Sequence, residues 1–168
     1  MPVPISFRQF RPEDLPLLKE MTAEAFDGVS IDQGIERLFG TIDGHDWGWR
    51  KARHVEDDTT RDAAGIFVAQ LEGQVVGYIS TRIDREAGVG FIPNLVVRRG
   101  RRGEGIGRRL IEHAMDHFRR EGIGYARIET LEQNEAGRHL YTAMGFREVA
   151  RQIHFCVDLE DGPTSPDR

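Results

Sequence analysis

Apolar and polar residues alternate along Ile5-Ser6-Phe7-Arg8-Gln9-Phe10, the period of a half-buried strand. Arg11-Pro12-Glu13-Asp14 then offers a proline and two acids, which suit the first turn of a helix. Leu15, Leu18, Met21, Ala25 and Phe26 share one helical face, and Gly28 supplies a stop. Residues 31–62 keep a helical pattern in Ile31, Ile35, Leu38 and Phe39, interrupted by Gly40, Gly44 and Gly48. A hairpin is predicted next, Gly65–Leu71 against Val75–Ile83 about the turn Glu72-Gly73-Gln74. After a turn at 84–88 a strand runs from Val89 to Arg98. Ile106, Leu110, Ile111, Ala114, Met115 and Phe118 form one apolar stripe on a helix from Gly105 to about Arg120, ended by Gly122 and Gly124. A strand at 125–131, a helix at 134–144 and short strands at 146–149 and 152–158 complete the pattern. This order predicts an α/β (α+β) fold, with a mixed, mostly antiparallel central sheet flanked by helices.

One junction in this pattern carries chemistry. The strand Leu95-Val96-Val97 runs through Arg98-Arg99-Gly100-Arg101-Arg102 into Gly103-Glu104-Gly105-Ile106-Gly107-Arg108, where a helix begins. A helix N-terminus has unpaired N–H groups and partial positive charge, so it receives anions. Glycines at 103, 105 and 107 let a bulky anion approach the main chain, and Arg101, Arg102 and Arg108 add forked donors suited to phosphate. The spacing is neither that of a P-loop nor that of the G-x-G-x-x-G dinucleotide fingerprint. It reads R-x-x-G-x-G, Arg102 to Gly107.

That signature, between a strand and a helix, resembles the acyl-CoA-binding motif of the GNAT superfamily of N-acetyltransferases. A second block strengthens the resemblance: a strand carrying Glu129, then Asn134, Tyr141 seven residues on, and a closing Gly145-Phe146. The Glu–Asn–Tyr spacing is similar to that of ribosomal-protein alanine N-acetyltransferases. Gly137 departs from the family's usual alanine, weakening the helix by about 1 kcal/mol, and Arg99 stands where proline is common. The resemblance is clear over residues 65–150 and weak before them.

The resemblance implies a GNAT fold whose strands at 89–98 and 125–131 splay apart to admit the pantetheine arm of acetyl-CoA. It assigns the main chain of Leu95, Val96 and Val97 to that arm and the thioester, and the amides from Gly103 through Glu104, Gly105, Ile106, Gly107 and Arg108 to the pyrophosphate. The Arg102 side chain adds a contact, while Glu104 points to solvent. Tyr141 corresponds to the general acid that protonates the CoA thiolate. Asn134 caps the following helix, contacts the cofactor, or does both. Glu129 corresponds to a catalytic base, although a carboxylate there also suits a solvent-facing partner for an arginine. Asn94 is a candidate for orienting substrate or water. The expected activity is transfer of an acetyl group to a primary amine by direct attack in a ternary complex. The alternative is a non-catalytic acetyl-CoA sensor or assembly module.

Composition narrows the rest. The 168 residues suit one domain, 1–160, with 161–168 as a flexible tail. A net charge of −5 argues against a nucleic-acid binder. No apolar run follows a basic start and none approaches membrane-spanning length, so a cytoplasmic protein without signal peptide is expected. Cys156 is the only cysteine and, between Phe155 and Val157, is expected to be buried and inert. His45 with Asp46, and His54 with Asp57, are read as solvated surface rather than metal ligands, as are the charges of Asp58, Asp84 and Glu86. Trp47 and Trp49 either wall the acceptor pocket or pack in the core. The acceptor is a small molecule or a protein N-terminus, no metal is expected, and superfamily habit suggests a homodimer exchanging the late strands at 146–158.

Overall fold

A computed structural model describes residues 4–161. Strand β1 (Ser6–Gln9) is followed by a 3₁₀ turn (Pro12–Asp14) and helices α1 (Leu15–Ala25), α2 (Ile31–Phe39) and α3 (Trp47–Asp62). Next come β2 (Ile66–Leu71), β3 (Gln74–Ser80), β4 (Arg82–Asp84), β5 (Val89–Ile92) and β6 (Leu95–Val97). Helix α4 (Ile106–Arg120), β7 (Tyr125–Ile128) and α5 (Glu135–Ala143) complete the order. Strands β1, β2, β3 and β6 form an antiparallel sheet in that order, and β4, β5 and β7 a second one in which β5 and β7 run parallel. The mixed, mostly antiparallel arrangement expected from the sequence is present.

Strand alternation sorts the core into two layers. Ile66 and Val68 of β2 face Leu18 and Met21 of α1 and Val55 of α3; Phe67 and Ala69 face Ile106, Leu110, Ile111, Ala114 and Phe118 of α4. In β3 the pairing skips Val76, a bulge that lets Val75 and Tyr78 share the first layer while Val76 and Ile79 join the second. Gly77 is fixed by proximity: a Cβ there would stand 2.7 Å from the Val96 carbonyl oxygen.

Several expectations need correction. The single strand expected over 89–98 is broken at Pro93-Asn94 into β5 and β6, which belong to different sheets. Gly48 does not interrupt a helix but lies inside α3, whose N-cap is Asp46 accepting from Trp49 N. The apolar face of α2 stays partly outside the core, with Ile31, Leu38 and Phe39 exposed. The late strands at 146–149 and 152–158 do not form: among the described residues the chain there has no ladder partner, and it exposes Val149, Ile153, Phe155, Val157 and Leu159. Cys156 is consequently exposed rather than buried. Apart from Asp161, which sits in a turn, the expected tail at 161–168 lies outside the described residues. Among the described residues no helix is long and apolar enough to cross a membrane.

Candidate active site

The parting of strands begins at the β5–β6 break. Strand β5 stays in register with β7 up to the pair Ile92–Ile128. Beyond Pro93 the chain joins β3 instead, pairing Leu95 with Ile79, Val96 with Tyr78 and Val97 with Gly77. Among the described residues β6 therefore has a strand partner on one edge only. Its other edge leaves main-chain groups free at the place the sequence resemblance assigns to the thioester arm.

Beyond β6 the chain makes a 3₁₀ turn (Arg99–Arg101) and enters α4 through Gly103 and Gly105, at φ +82° and +78°. Side chains adopt such angles at a cost that glycine avoids. No side chain caps α4, so its leading amides remain available to an anion. Gly107, the second residue of α4, fits because α5 and β6 crowd it: a Cβ would meet Leu140 at 3.2 Å and Val97 at 3.7 Å. Glu104 is exposed, 3.6 Å from the Arg101 guanidinium, as expected of a solvent-facing side chain. Arg102 donates to the Ala25 carbonyl at 3.2 Å, tying the end of α1 to this loop, and Arg108 is exposed. The glycine geometry, the uncapped helix and the open edge of β6 all fit a diphosphate with an extended arm.

Helix α5 sets Leu140 beside Gly107, and the next residue, Tyr141, is partly buried against the same core, its ring edge-on to Phe146 at 6.2 Å. Burial alone pushes the phenol up to about 12. Asn134 is the N-cap of α5: its side-chain oxygen accepts from Gly137 N at 3.0 Å, and its nitrogen donates to Thr130 Oγ1 at 2.8 Å. This accounts for Gly137, since a Cβ there would lie 2.5 Å from the Asn134 side chain.

Glu129 lies on the face of the β7 chain opposite the core, 70 % exposed, and Arg127 donates to its carboxylate at 2.9 Å. Both border a cleft of about 720 Å³ with Arg82, Asp84, Phe91 and Pro93. The two tryptophans do not line this cleft; Trp49 is exposed and stacks on His45 at 3.5 Å. Among the described residues no group of His, Cys, Asp and Glu is arranged to hold a metal ion.

A buried polar cluster was not legible in the sequence. Asp58, expected at the surface, is 4 % exposed and accepts from Ser80 Oγ, Asn94 Nδ2 and Arg82. Lys51 donates to Asn94 Oδ1 at 3.1 Å, so Asn94 is committed within the protein rather than free to orient substrate. The available signal was the stripe Lys51, Val55, Asp58 on one face of α3, polar at both ends of an apolar contact.

The profile of the Acetyltransferase (GNAT) family matches residues 32–146. A mycothiol acetyltransferase of Streptomyces avermitilis is 31 % identical over 85 residues, 51 % of this chain and 28 % of that protein. N-alpha-acetyltransferase 30 of Saccharomyces cerevisiae is 33 % identical over 89 residues, 51 % of each. The chain thus spans about half of the yeast relative and little more than a quarter of the Streptomyces one. In fold it is similar to the PaiA N-acetyltransferase from Thermoplasma acidophilum, solved with coenzyme A, at TM-score 0.68 and 21 % identity, covering 86 % of this chain and 90 % of the other. The ribosomal-protein-S18-alanine N-acetyltransferase from Escherichia coli superposes at TM-score 0.62 and 17 % identity, covering 88 % and 80 %. A profile match over more than half of the sequence, from α2 to the end of α5, extends well beyond one motif, and it makes the chain a member of the GNAT acetyltransferase family.

Proposed function

We propose that the protein is an acetyl-CoA-dependent N-acetyltransferase that moves the acetyl group to a primary amine by direct attack in a ternary complex. The observation that carries this reading is the uncapped, glycine-lined start of α4, which follows a strand with one open edge. Amides from Gly103 to Arg108, with Arg102, take the diphosphate, and the main chain of Leu95, Val96 and Val97 takes the pantetheine arm. Asn134 holds the start of α5 and so the placing of Tyr141. Bound acetyl-CoA supplies the activated acyl carbon. The amine nitrogen forms its bond to that carbon as the carbon–sulfur bond breaks; Tyr141 Oη gives its proton to the sulfur, and Glu129 takes the proton released by the amine. A primary amine on a small molecule or at a protein N-terminus satisfies this chemistry equally. Acetyl-CoA use suits the cytoplasm.

Glu129→Gln is expected to lower kcat/KM about 10²-fold at neutral pH with coenzyme A affinity retained, the usual scale for losing a general base. An unchanged kcat/KM would remove Glu129 as base and leave the proton to water. One observation favours a second reading, a non-catalytic acetyl-CoA sensor: the Glu129 carboxylate is engaged by Arg127 rather than free. Release of CoA thiol from acetyl-CoA against a panel of polyamines, aminoglycosides, amino-acid derivatives and N-terminal peptides separates the two. The enzyme releases thiol with at least one amine; a sensor binds acetyl-CoA and releases none.

The homodimer also belongs to this reading. Among the described residues β7 is an edge strand with Tyr125 exposed, and the segment after α5 carries exposed apolar residues at alternate positions from Ile153 to Leu159. Deleting residues 152–161 is expected to convert a dimer into a monomer in analytical ultracentrifugation. A full-length monomer would remove the dimer from the proposal.

A further inference from the structure

Where β5 gives way to β6, a buried polar chain crosses from α3 to the strands. Asn94 is held on its main chain by Ser80, its N–H donating to Ser80 Oγ at 3.0 Å and its carbonyl accepting from Ser80 N at 2.9 Å. Its side-chain nitrogen donates to Asp58 at 2.7 Å, which leaves Oδ1 to accept from Lys51 Nζ at 3.1 Å. Lys51 is 8 % exposed, 3.8 Å from the centre of the Phe26 ring and 3.3 Å from His54 Nδ1. The acids that attract it are engaged elsewhere, Asp58 by Arg82 and Asp32 by Arg50. A buried ammonium without a contacting carboxylate is costly, and an apolar side chain would fill the position more cheaply. What the ammonium does contact is the residue immediately before Leu95.

We propose that Lys51 is a positioning residue for acetyl transfer: its ammonium holds Asn94 Oδ1, and through Asn94 it fixes the main chain entering β6, where the acetyl thioester lies. This inference rests on the acetyl-CoA reading of the site. Asn94 is clamped on every polar group, so a change at Lys51 reaches the Leu95 amide through a single peptide unit. The contact has a pH sense. Burial pushes Lys51 down to about 8, against the opposing pull of Asp32 from α2 and Asp58 from α3. His54 on α3 and Arg82 on β4 complete the charged surroundings, and burial lowers His54 below its usual range, away from this window. Below about pH 8 Lys51 is an ammonium and grips Asn94; above it the neutral amine is a weaker donor and the grip loosens.

The test uses the full chain with acetyl-CoA carrying ¹³C at the thioester carbonyl. In wild type the bound carbonyl resonance is expected to move with pH, with a midpoint near 8. In Lys51→Met and in Lys51→Arg, which stays charged, that movement is lost while acetyl-CoA affinity remains within about twofold; the arginine variant serves alone if the methionine variant does not fold. A flat wild-type profile, or one unchanged in both variants, overturns the role of Lys51 while bound acetyl-CoA leaves the family reading standing. No acetyl-CoA binding by wild type would overturn both.

Discussion

Replacing Gly105 with valine is expected to weaken coenzyme A binding about a hundredfold, roughly 2–3 kcal/mol, without unfolding the protein. Gly105 sits at φ +78° as the residue before α4, and a β-branched side chain in that conformation costs about 1–3 kcal/mol. The chain relieves the strain by turning the loop, which moves the amides of Ile106, Gly107 and Arg108 away from the diphosphate. No protein atom lies within 4 Å of where the new Cβ would point, so the core is untouched and the fold is kept, with thermal unfolding lowered by several degrees from the strain. Gly100→Ala is the control: its Cβ also meets open space, its φ is ordinary, and binding is expected to stay unchanged. Calorimetric titration with coenzyme A reads the difference. Equal affinity in the valine variant would mean that the start of α4 does not hold the diphosphate.

Tyr141→Phe is expected to cost about 10²–10⁴ in kcat, the range for a lost general acid, with coenzyme A affinity changed less than about twofold. The phenylalanine keeps the ring against Phe146 and removes only the hydroxyl. Because burial pushes the phenol up to about 12, it remains protonated across the physiological range. Wild-type kcat should therefore show no falling limb from Tyr141 below about pH 11. A thiol-release assay across pH checks both statements. A phenylalanine variant with full kcat would leave Tyr141 as packing at the end of α5.

The parts of this architecture legible in the sequence are those written in local chemistry. The loop of glycines at 103 and 105 was readable as an anion approach because strand, glycines and helix are contiguous in the chain, and the stripe from Ile106 to Phe118 because α4 buries one face; the left-handed φ of both glycines emerged from the structure. Asn134 was readable as a cap because the bond it accepts from Gly137 N spans only three residues. What the sequence concealed depends on distant partners. Lys51 and Asp58 look like surface charges until Ser80 and Asn94, from other elements, are seen around them. The late segment carries a strand's alternation at Ile153, Phe155 and Val157, yet alternation does not supply the edge against which a strand forms. Pro93 was visible, but that its bend transfers the chain from one sheet to another follows only from the pairing of β6 with β3.

All of this stands on the grip of the loop before α4 on a diphosphate, and calorimetry comparing coenzyme A with pantetheine probes it most directly. Pantetheine keeps the arm and thiol but lacks the diphosphate and the adenosine 3′-phosphate beyond it, so coenzyme A is expected to bind at least about tenfold more tightly, and Gly105→Val is expected to remove most of that difference. Equal binding of the two, or no uptake of coenzyme A at millimolar concentration, would contradict the account.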